Sequence, residues 1–374
     1  MSGLAQGQNN VITLGIGEPD FNTPSPITKA AFRDAENGHT HYTHSQGDAH
    51  LLKALARHTQ QSMGIDLPPN QFLVTHGGMG SLTAAFRTLL EPGDEVIIPE
   101  PHFPDYMAHI TFAGGKIIRV PTQFEKDFIP SPGALEAAIT PKSRILLLNS
   151  PNNPTGAVIP GDTLDDIARL AIKHKLVVIS DEVYDALTYG AHGHQSIYTR
   201  PGMAAQTLVI KSFSKTYAMT GWRIGYCFGP SSIIENMLKV VNYSTACASA
   251  IGQRGALAAL GMDTDILKER KQRFQNRIDL VCSRLEAMPG IRARRPRGSF
   301  YIFANIQRVL EKTKMSSREF AMGLIQEKQV VVIPGYAFGN HCDGFIRIAC
   351  TVNRNKLSLA MDRLEAHLSR LMDT

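Results

Sequence analysis

From about residue 70 onward, short apolar runs alternate with longer stretches of helical periodicity. The runs are FLVT (72–75), DEVIIPE (94–100), KIIRV (116–120), RILLLN (144–149), LVVIS (176–180) and TLVIKSF (207–213). They are apolar throughout instead of alternating with polar positions. Strands covered by helices on both faces of a parallel sheet have this pattern. Between them lie helical stretches such as SLTAAFRTLL (81–90) and GDTLDDIARLAIKHK (161–175), the second with acidic residues early and Lys173 and Lys175 late, as the helix dipole favours. The repeated β–α order predicts an α/β domain with a mainly parallel sheet.

After about residue 285 the pattern changes. RRPRGSFYIFANI (294–306) and GFIRIACT (344–351) predict strands of a smaller α+β unit. SSREFAMGLIQEK (316–328) and KLSLAMDRLEAHLSRLM (356–372) predict amphipathic helices beside them. The segment up to about residue 45 has no sheet pattern of its own and is expected to pack as an arm that joins the C-terminal part. The expected division is 1–45 for the arm and part of the small domain, 46–284 for the large domain, and 285–374 for the C-terminal small domain.

Composition narrows the class. The 374 residues, 43% hydrophobic and 19% charged, suit a globular protein with a large core. The five cysteines include no C-x-x-C pair, which points to reduced thiols in a reducing compartment, with the cytoplasm as the default location. The polar N-terminus has no apolar core of a signal peptide, and no apolar run is long enough to span a bilayer. The net charge of +6 is dispersed, apart from RARRPRG (292–298). Without interleaved aromatics that run is expected to be a solvated turn, so neither nucleic acid nor a membrane is an expected partner.

Candidate chemistry lies at the predicted strand ends. GIGEPD (15–20) lacks the third glycine and the strand–helix context of a dinucleotide fingerprint, and no P-loop is present. THGGMGSLTAAF (75–86) is a strand end, a glycine turn and a helix start, which can be a plain turn or an anion cradle. NSPNNPTG (149–156) and SDEVYD (180–185) follow strands, at the sheet edge where open α/β proteins bind ligands. In SFSKTYAMTGWRIG (212–225), Lys215 follows a buried strand beside Ser212 and Ser214, with Arg223 eight positions on. Desolvation disfavours a charged lysine there and would make it a nucleophilic amine, while Arg223 and Ser212 can donate to a phosphate. A lysine, an aspartate and a phosphate anchor on separate strand ends are the parts that a pyridoxal phosphate site requires.

With these motifs the sequence resembles the class I/II aminotransferases, pyridoxal 5'-phosphate enzymes of fold type I. The resemblance extends over nearly the whole chain through GEPDFNTP, YTHSQGDAHLLKAL, GGMGSL, PHFPDY, NSPNNPTG, SDEVY, SFSKTYAMTGWRIG, PRGSFYIF, VVIPGYAFG and FIRIA. It implies a large domain with a mainly parallel seven-stranded sheet between helices, plus a smaller α+β domain. It implies that Lys215 is the Schiff-base lysine and proton carrier, that Asp181 pairs with the ring nitrogen, and that Asn153 and Tyr184 donate to the phenolate oxygen. Phe103 would stack on the ring. Gly78, Met79, Ser212 and Arg223 would hold the phosphate, with Tyr42 reaching it from the partner of a homodimer with shared sites. Arg347, assisted by Gly17 and Asn153, would bind the substrate carboxylate.

The implied reaction moves the α-amino group of an L-amino acid to a 2-oxo acid by a ping-pong mechanism. A β-eliminating lyase or a cyclopropane-carboxylate-synthase-like enzyme would share the same motifs. A DNA-binding regulator built on this fold is disfavoured, because the first motif begins near residue 15. Met79 stands where many relatives have a hydroxyl or lysine, so one phosphate donor is missing. No second arginine is assigned to an ω-carboxylate, and Ile16, Phe103, Tyr336 and Phe338 would make the site apolar, favouring neutral or aromatic substrates. His39, His41, His44 and His50 flank Tyr42 without metal-ligand support and are expected to be surface residues.

Overall fold

The computed structural model describes residues 10–190 and 193–373. Twelve strands occur among them. They are β1 (Ile12–Thr13), β2 (Phe72–Thr75), β3 (Glu95–Glu100), β4 (Lys116–Pro121), β5 (Ser143–Asn149), β6 (Val177–Asp181), β7 (Thr207–Ser212), β8 (Gly225–Phe228), β9 (Tyr301–Asn305), β10 (Val330–Val331), β11 (Ile333–Pro334) and β12 (Phe345–Ala349).

Seven of them form the central sheet in the order β2-β8-β7-β6-β5-β3-β4. Strands β3 to β7 pair in parallel, and β8 runs antiparallel to both β7 and β2. The predicted α/β class and mainly parallel sheet are therefore observed. The apolar character of the strands has its cause in double coverage. Ile98, Ile145, Leu147, Ile179 and Ile210 pack into one core with the helices Gly77–Leu89 and Ser231–Ser244. Ile97, Leu146, Leu148 and Val178 pack into another against the helix Gly161–Lys173. Among the described residues no helix is long and apolar enough to cross a membrane.

The C-terminal part carries the three-stranded antiparallel sheet β11-β12-β9. The helices Ser317–Lys328 and Arg354–Asp373 cover it, and Phe320, Leu324, Leu357, Met361 and Leu364 supply much of the shared core. The N-terminal segment is divided between the two halves. Strand β1 pairs in parallel with β10, and Leu14 O accepts from Ala349 N–H at 2.8 Å, which lays residues 12–17 along the small sheet. The helix Ser25–Glu36 instead packs on the helix Ala250–Leu260, tied by Arg254 Nε to Asp34 at 2.6 Å. The basic run 292–298 is largely neutralised within the chain. Arg292 faces Glu125 and Arg294 faces Asp127, each at 3.4 Å, and Arg295 pairs with Asp279.

Candidate active site

Three neighbouring parallel strands, β5, β6 and β7, end on Asn149, Asp181 and Ser212 at the same edge of the sheet. These ends open into a cavity of about 390 Å³. Eleven of the twelve residues given a catalytic, cofactor or substrate role line it: Gly17, Gly78, Met79, Phe103, Asn153, Asp181, Tyr184, Ser212, Lys215, Arg223 and Arg347. Residues more than 300 positions apart meet there because β1 carries Gly15–Gly17 alongside β12, which carries Arg347.

Lys215 sits in the four-residue helix Phe213–Thr216 that follows β7, capped by the Ser212 hydroxyl accepting from Ser214 N–H. Its Nζ donates to the Gly17 carbonyl at 2.6 Å. Burial pushes its pKa down to about 8; Arg223 and Arg347 add to the shift and Glu18 opposes it. Gly17 cannot carry a side chain there, since a Cβ would lie 1.7 Å from the Tyr301 hydroxyl oxygen.

Asp181 is buried, and burial pushes its carboxyl up to about 6, although Tyr106 and the Val183 N–H act against the shift. Tyr106 is itself enclosed and donates its hydroxyl to Asp181 Oδ2 at 2.5 Å. The loop after β5 is held to β6, since Asn149 Nδ2 donates to the Asp181 carbonyl at 3.0 Å and Asn149 Oδ1 accepts from Asn153 N–H at 2.8 Å.

Arg347 is buried, with Nη2 donating to the Gly15 carbonyl at 2.6 Å and Nη1 to Asn153 Oδ1 at 2.8 Å. Its Nε has no partner, and no carboxylate among the described residues pairs with it. Aromatic rings flank it, with the guanidinium carbon 4.5 Å from the Tyr301 ring centre and 4.9 Å from that of Phe338. A buried guanidinium with a free donor and no counter-ion is an arrangement completed by an arriving carboxylate.

Some expectations fall elsewhere. Tyr42 is outside the cavity and 90% exposed, in a separate surface cavity with His39, His41 and His44. Ile16 and Phe103 border the main cavity, but Tyr336 and Phe338 do not. Phe338 is buried because the short turn Gly335–Phe338 folds it against Arg347 and Phe303. Sequence reasoning assigned no role to Tyr106, Asn149 or Tyr301. The Tyr301 hydroxyl lies 3.0 Å from that of Tyr184. The quoted motifs contained all three, but the Tyr106–Asp181, Asn149–Asp181 and Tyr184–Tyr301 pairings span the fold and leave no local signal.

Residues 9–364 match the family described as aminotransferase class I and II. The chain belongs to that family. It is 40% identical to aromatic-amino-acid aminotransferase 2 of Thermococcus litoralis, over 97% of this chain and 92% of that one. It is 38% identical to an aspartate aminotransferase of Pyrococcus horikoshii, again over 97% and 92%. Among solved structures, an aromatic aminotransferase from Pyrococcus horikoshii superimposes with a TM-score of 0.93 at 37% identity, covering 97% of this chain and 96% of that one.

Class I and II aminotransferases depend on pyridoxal phosphate, and this aminotransferase acts on an amino acid and a 2-oxo acid. The cavity suits that cofactor. The helix Gly77–Leu89 starts at its wall, and His76 provides no side-chain cap, so the first-turn N–H groups are free to meet an anion. The Ser212 hydroxyl and the Arg223 guanidinium line the same cavity, opposite a buried carboxylate and a lysine of lowered pKa.

Proposed function

We propose that the cavity residues divide into a cofactor set and a substrate set, with Arg347 taking the α-carboxylate of the amino acid. The observation that carries this reading is the buried Arg347, with a free Nε and no acidic partner, lining the same cavity as Lys215. Gly78 and Met79 N–H, Ser212 and Arg223 would hold the cofactor phosphate, Asp181 its ring nitrogen, Asn153 and Tyr184 its phenolate oxygen, and Phe103 one ring face. The division of the chain into arm, residues 46–284 and residues 285–374 belongs to the same reading. The long helix Asp265–Ala287 would link the two larger parts.

When bound, pyridoxal phosphate accepts the electron pair left at the amino acid's Cα. Arg347 fixes the carboxylate end of the substrate in a bidentate fork and so sets which bond at Cα faces Lys215. The neutral Lys215 Nζ would take the Cα proton and give it up at the carbon on the far side of the transferred nitrogen, the 1,3-shift that amino transfer requires, with the Gly17 carbonyl steering the amine. Asp181, ionised and enclosed, keeps positive charge favourable at the sheet edge.

Two finer expectations belong here. A homodimer with shared sites is supported by Tyr42 and Tyr243, which are 90% and 89% exposed on one face, where Ser45 donates to Asn242 at 2.9 Å. Tyr42 would act in the partner's site. A preference for neutral or aromatic side chains is supported by Ile16, Leu82 and Phe103 in the lining, whose described cations are Lys215, Arg223 and Arg347 alone. The unpaired thiols are consistent with a cytoplasmic location.

The experiment is a screen of single amino acids against the loaded enzyme, following the visible spectrum as the cofactor takes up the amino group. Phenylalanine, tyrosine or leucine should convert it faster than aspartate. Fastest conversion by aspartate would overturn the side-chain preference, and an Arg347→Ala variant with unchanged KM would overturn the substrate set.

A further inference from the structure

The end of β3 makes a contact that the site described above does not use. Glu100 is fully enclosed, yet its nearest permanently cationic group is the Arg119 Nε at 3.6 Å, and the ring of His341 lies beside it. Its carboxylate is filled from the other half of the molecule. Oε2 accepts from Asn340 N–H at 3.1 Å, and Oε1 from His341 N–H at 2.9 Å and from His341 Nδ1 at 2.7 Å. The chain is shaped to allow this. Gly339 has φ 147°, and a Cβ on it would lie 2.2 Å from the Glu100 carboxyl carbon. One residue pair on, His102 N–H donates to the Phe338 carbonyl at 3.0 Å.

Both ends of this seam lead to the active site. On one side, Glu100 and His102 immediately precede Phe103, which lines the cavity. On the other, the clamped residues 339–341 directly follow Phe338, whose ring lies 4.9 Å from the Arg347 guanidinium. The turn that holds Phe338 is closely packed, since a Cβ on Gly335 would lie 1.8 Å from the Cys342 carbonyl oxygen. A carboxylate buried this deeply is costly unless all its donors are in place, so it selects one position of the loop.

We propose that Glu100 is a positioning residue: by clamping residues 339–341 it holds Phe338 against Arg347 and thereby fixes the substrate-carboxylate guanidinium relative to the cofactor cavity. This rests on the reading that Arg347 binds that carboxylate. Amino acid and 2-oxo acid both carry an α-carboxylate, so loosening the clamp weakens both substrates by the same factor. The phosphate contacts lie outside the seam, and Phe103, the one ring contact beside it, is braced independently by its edge-to-face packing on Tyr106, so cofactor binding changes little.

The test compares holoenzymes of wild type, Glu100→Gln, His341→Ala and Arg347→Ala. Glu100→Gln keeps the volume but turns amide hydrogens toward the backbone donors. The expected result is a rise of about tenfold in KM for both substrates, the size of one weakened charge-assisted hydrogen bond. The change in kcat should be less than about threefold, with cofactor affinity and visible spectrum unchanged. His341→Ala removes the ring donor only and should give a smaller KM rise in the same pattern, which keeps the test open if Glu100→Gln does not fold. Unchanged KM values in both clamp variants, alongside a raised KM in Arg347→Ala, would overturn the clamp and leave the carboxylate reading standing. An Arg347→Ala variant with normal KM would overturn both. A clamp variant that loses cofactor affinity or kcat while keeping KM would also overturn the proposal, since that is what general disorder of the β3 end would produce.

Discussion

The Tyr106 hydroxyl donates to Asp181 Oδ2 at 2.5 Å, and both groups are buried in the cavity wall. This contact sets how readily the aspartate ionises. Burial pushes the carboxyl up to about 6, and the tyrosine is the first group acting against that rise. Tyr106→Phe removes the donor and should move the midpoint upward. The ionised form is lost as pH falls through the midpoint, so the variant suffers most on the acid side. Cofactor affinity should fall roughly tenfold at pH 6.5, in keeping with a hydrogen bond to a charged group, and approach wild type at pH 8.5. Titration of apoenzyme with pyridoxal phosphate at the two pH values, read by absorbance, checks this. An equal loss at both pH values would contradict it.

Asp181 also makes the empty site unstable. Its pKa rises from 3.8 to about 6 on folding, so the folded apoenzyme binds the proton more tightly than the unfolded chain. Stability therefore falls as pH rises between those values, and above them the ionised aspartate costs on the order of 3 kcal/mol. Asp181→Asn should make the apoenzyme more stable than wild type at pH 7.5, with a higher Tm. The same substitution should weaken cofactor binding, because the proposed partner of the ring nitrogen would be gone. Thermal unfolding of both apoenzymes and both loaded forms shows whether the order of stability reverses on loading.

The first of these predictions turns on Tyr106, a residue whose role the sequence did not disclose. The strand run LVVIS followed by SDEVYD was enough to place Asp181 at a strand end, because apolar continuity reports burial directly. Tyr106 lay inside PHFPDY, 75 positions away, and periodicity carries no information about which side chains meet across a sheet. The same reason hides the Tyr184–Tyr301 contact and the Glu100 seam. Strand β8 went unmarked because it is four residues long, follows a glycine-bearing loop and is the one strand running against its neighbours in the large sheet. Tyr336 and Phe338 were expected at the cavity on the premise that the VVIPGYAFG loop borders it, but a tight 3₁₀ turn directs Phe338 into the core.

Lys215 should capture the cofactor with an alkaline dependence. Burial, with Arg223 and Arg347, lowers its pKa to about 8 from 10.5, so the amine is charged below that value and neutral above it. Attack on an aldehyde needs the neutral form. The neutral fraction should rise from roughly a tenth at pH 7 to roughly nine tenths at pH 9. Reconstitution of the apoenzyme, followed as the rise of visible absorbance, should accelerate several-fold over this range with a midpoint near pH 8. A rate that keeps rising steeply beyond pH 10 would mean that the lysine keeps its ordinary pKa.

Behind the cavity, Lys211 on β7 lies 2.5 Å from Asp185 and 3.3 Å from the fully enclosed Glu182, next in sequence to Asp181. Burial alone would lower the lysine pKa, but Asp185 and Glu182 hold it well above its ordinary value. Burial likewise pushes Glu182 up, yet His194 and Lys211 more than offset this and hold it at about 2. Its folded pKa is thus depressed, so the stability it contributes is present above the usual carboxylate range and lost as pH falls toward 2. Lys211→Met leaves Glu182 without its lysine and should cost about 3–5 kcal/mol at pH 7.5. The loss should shrink at pH 4.5, where the carboxyl that has lost its lysine can more readily take up a proton. Denaturant unfolding of the loaded enzyme at both pH values measures the difference. A deficit that stays the same at pH 4.5 would assign the loss to packing of the lysine stem and not to the stranded charge.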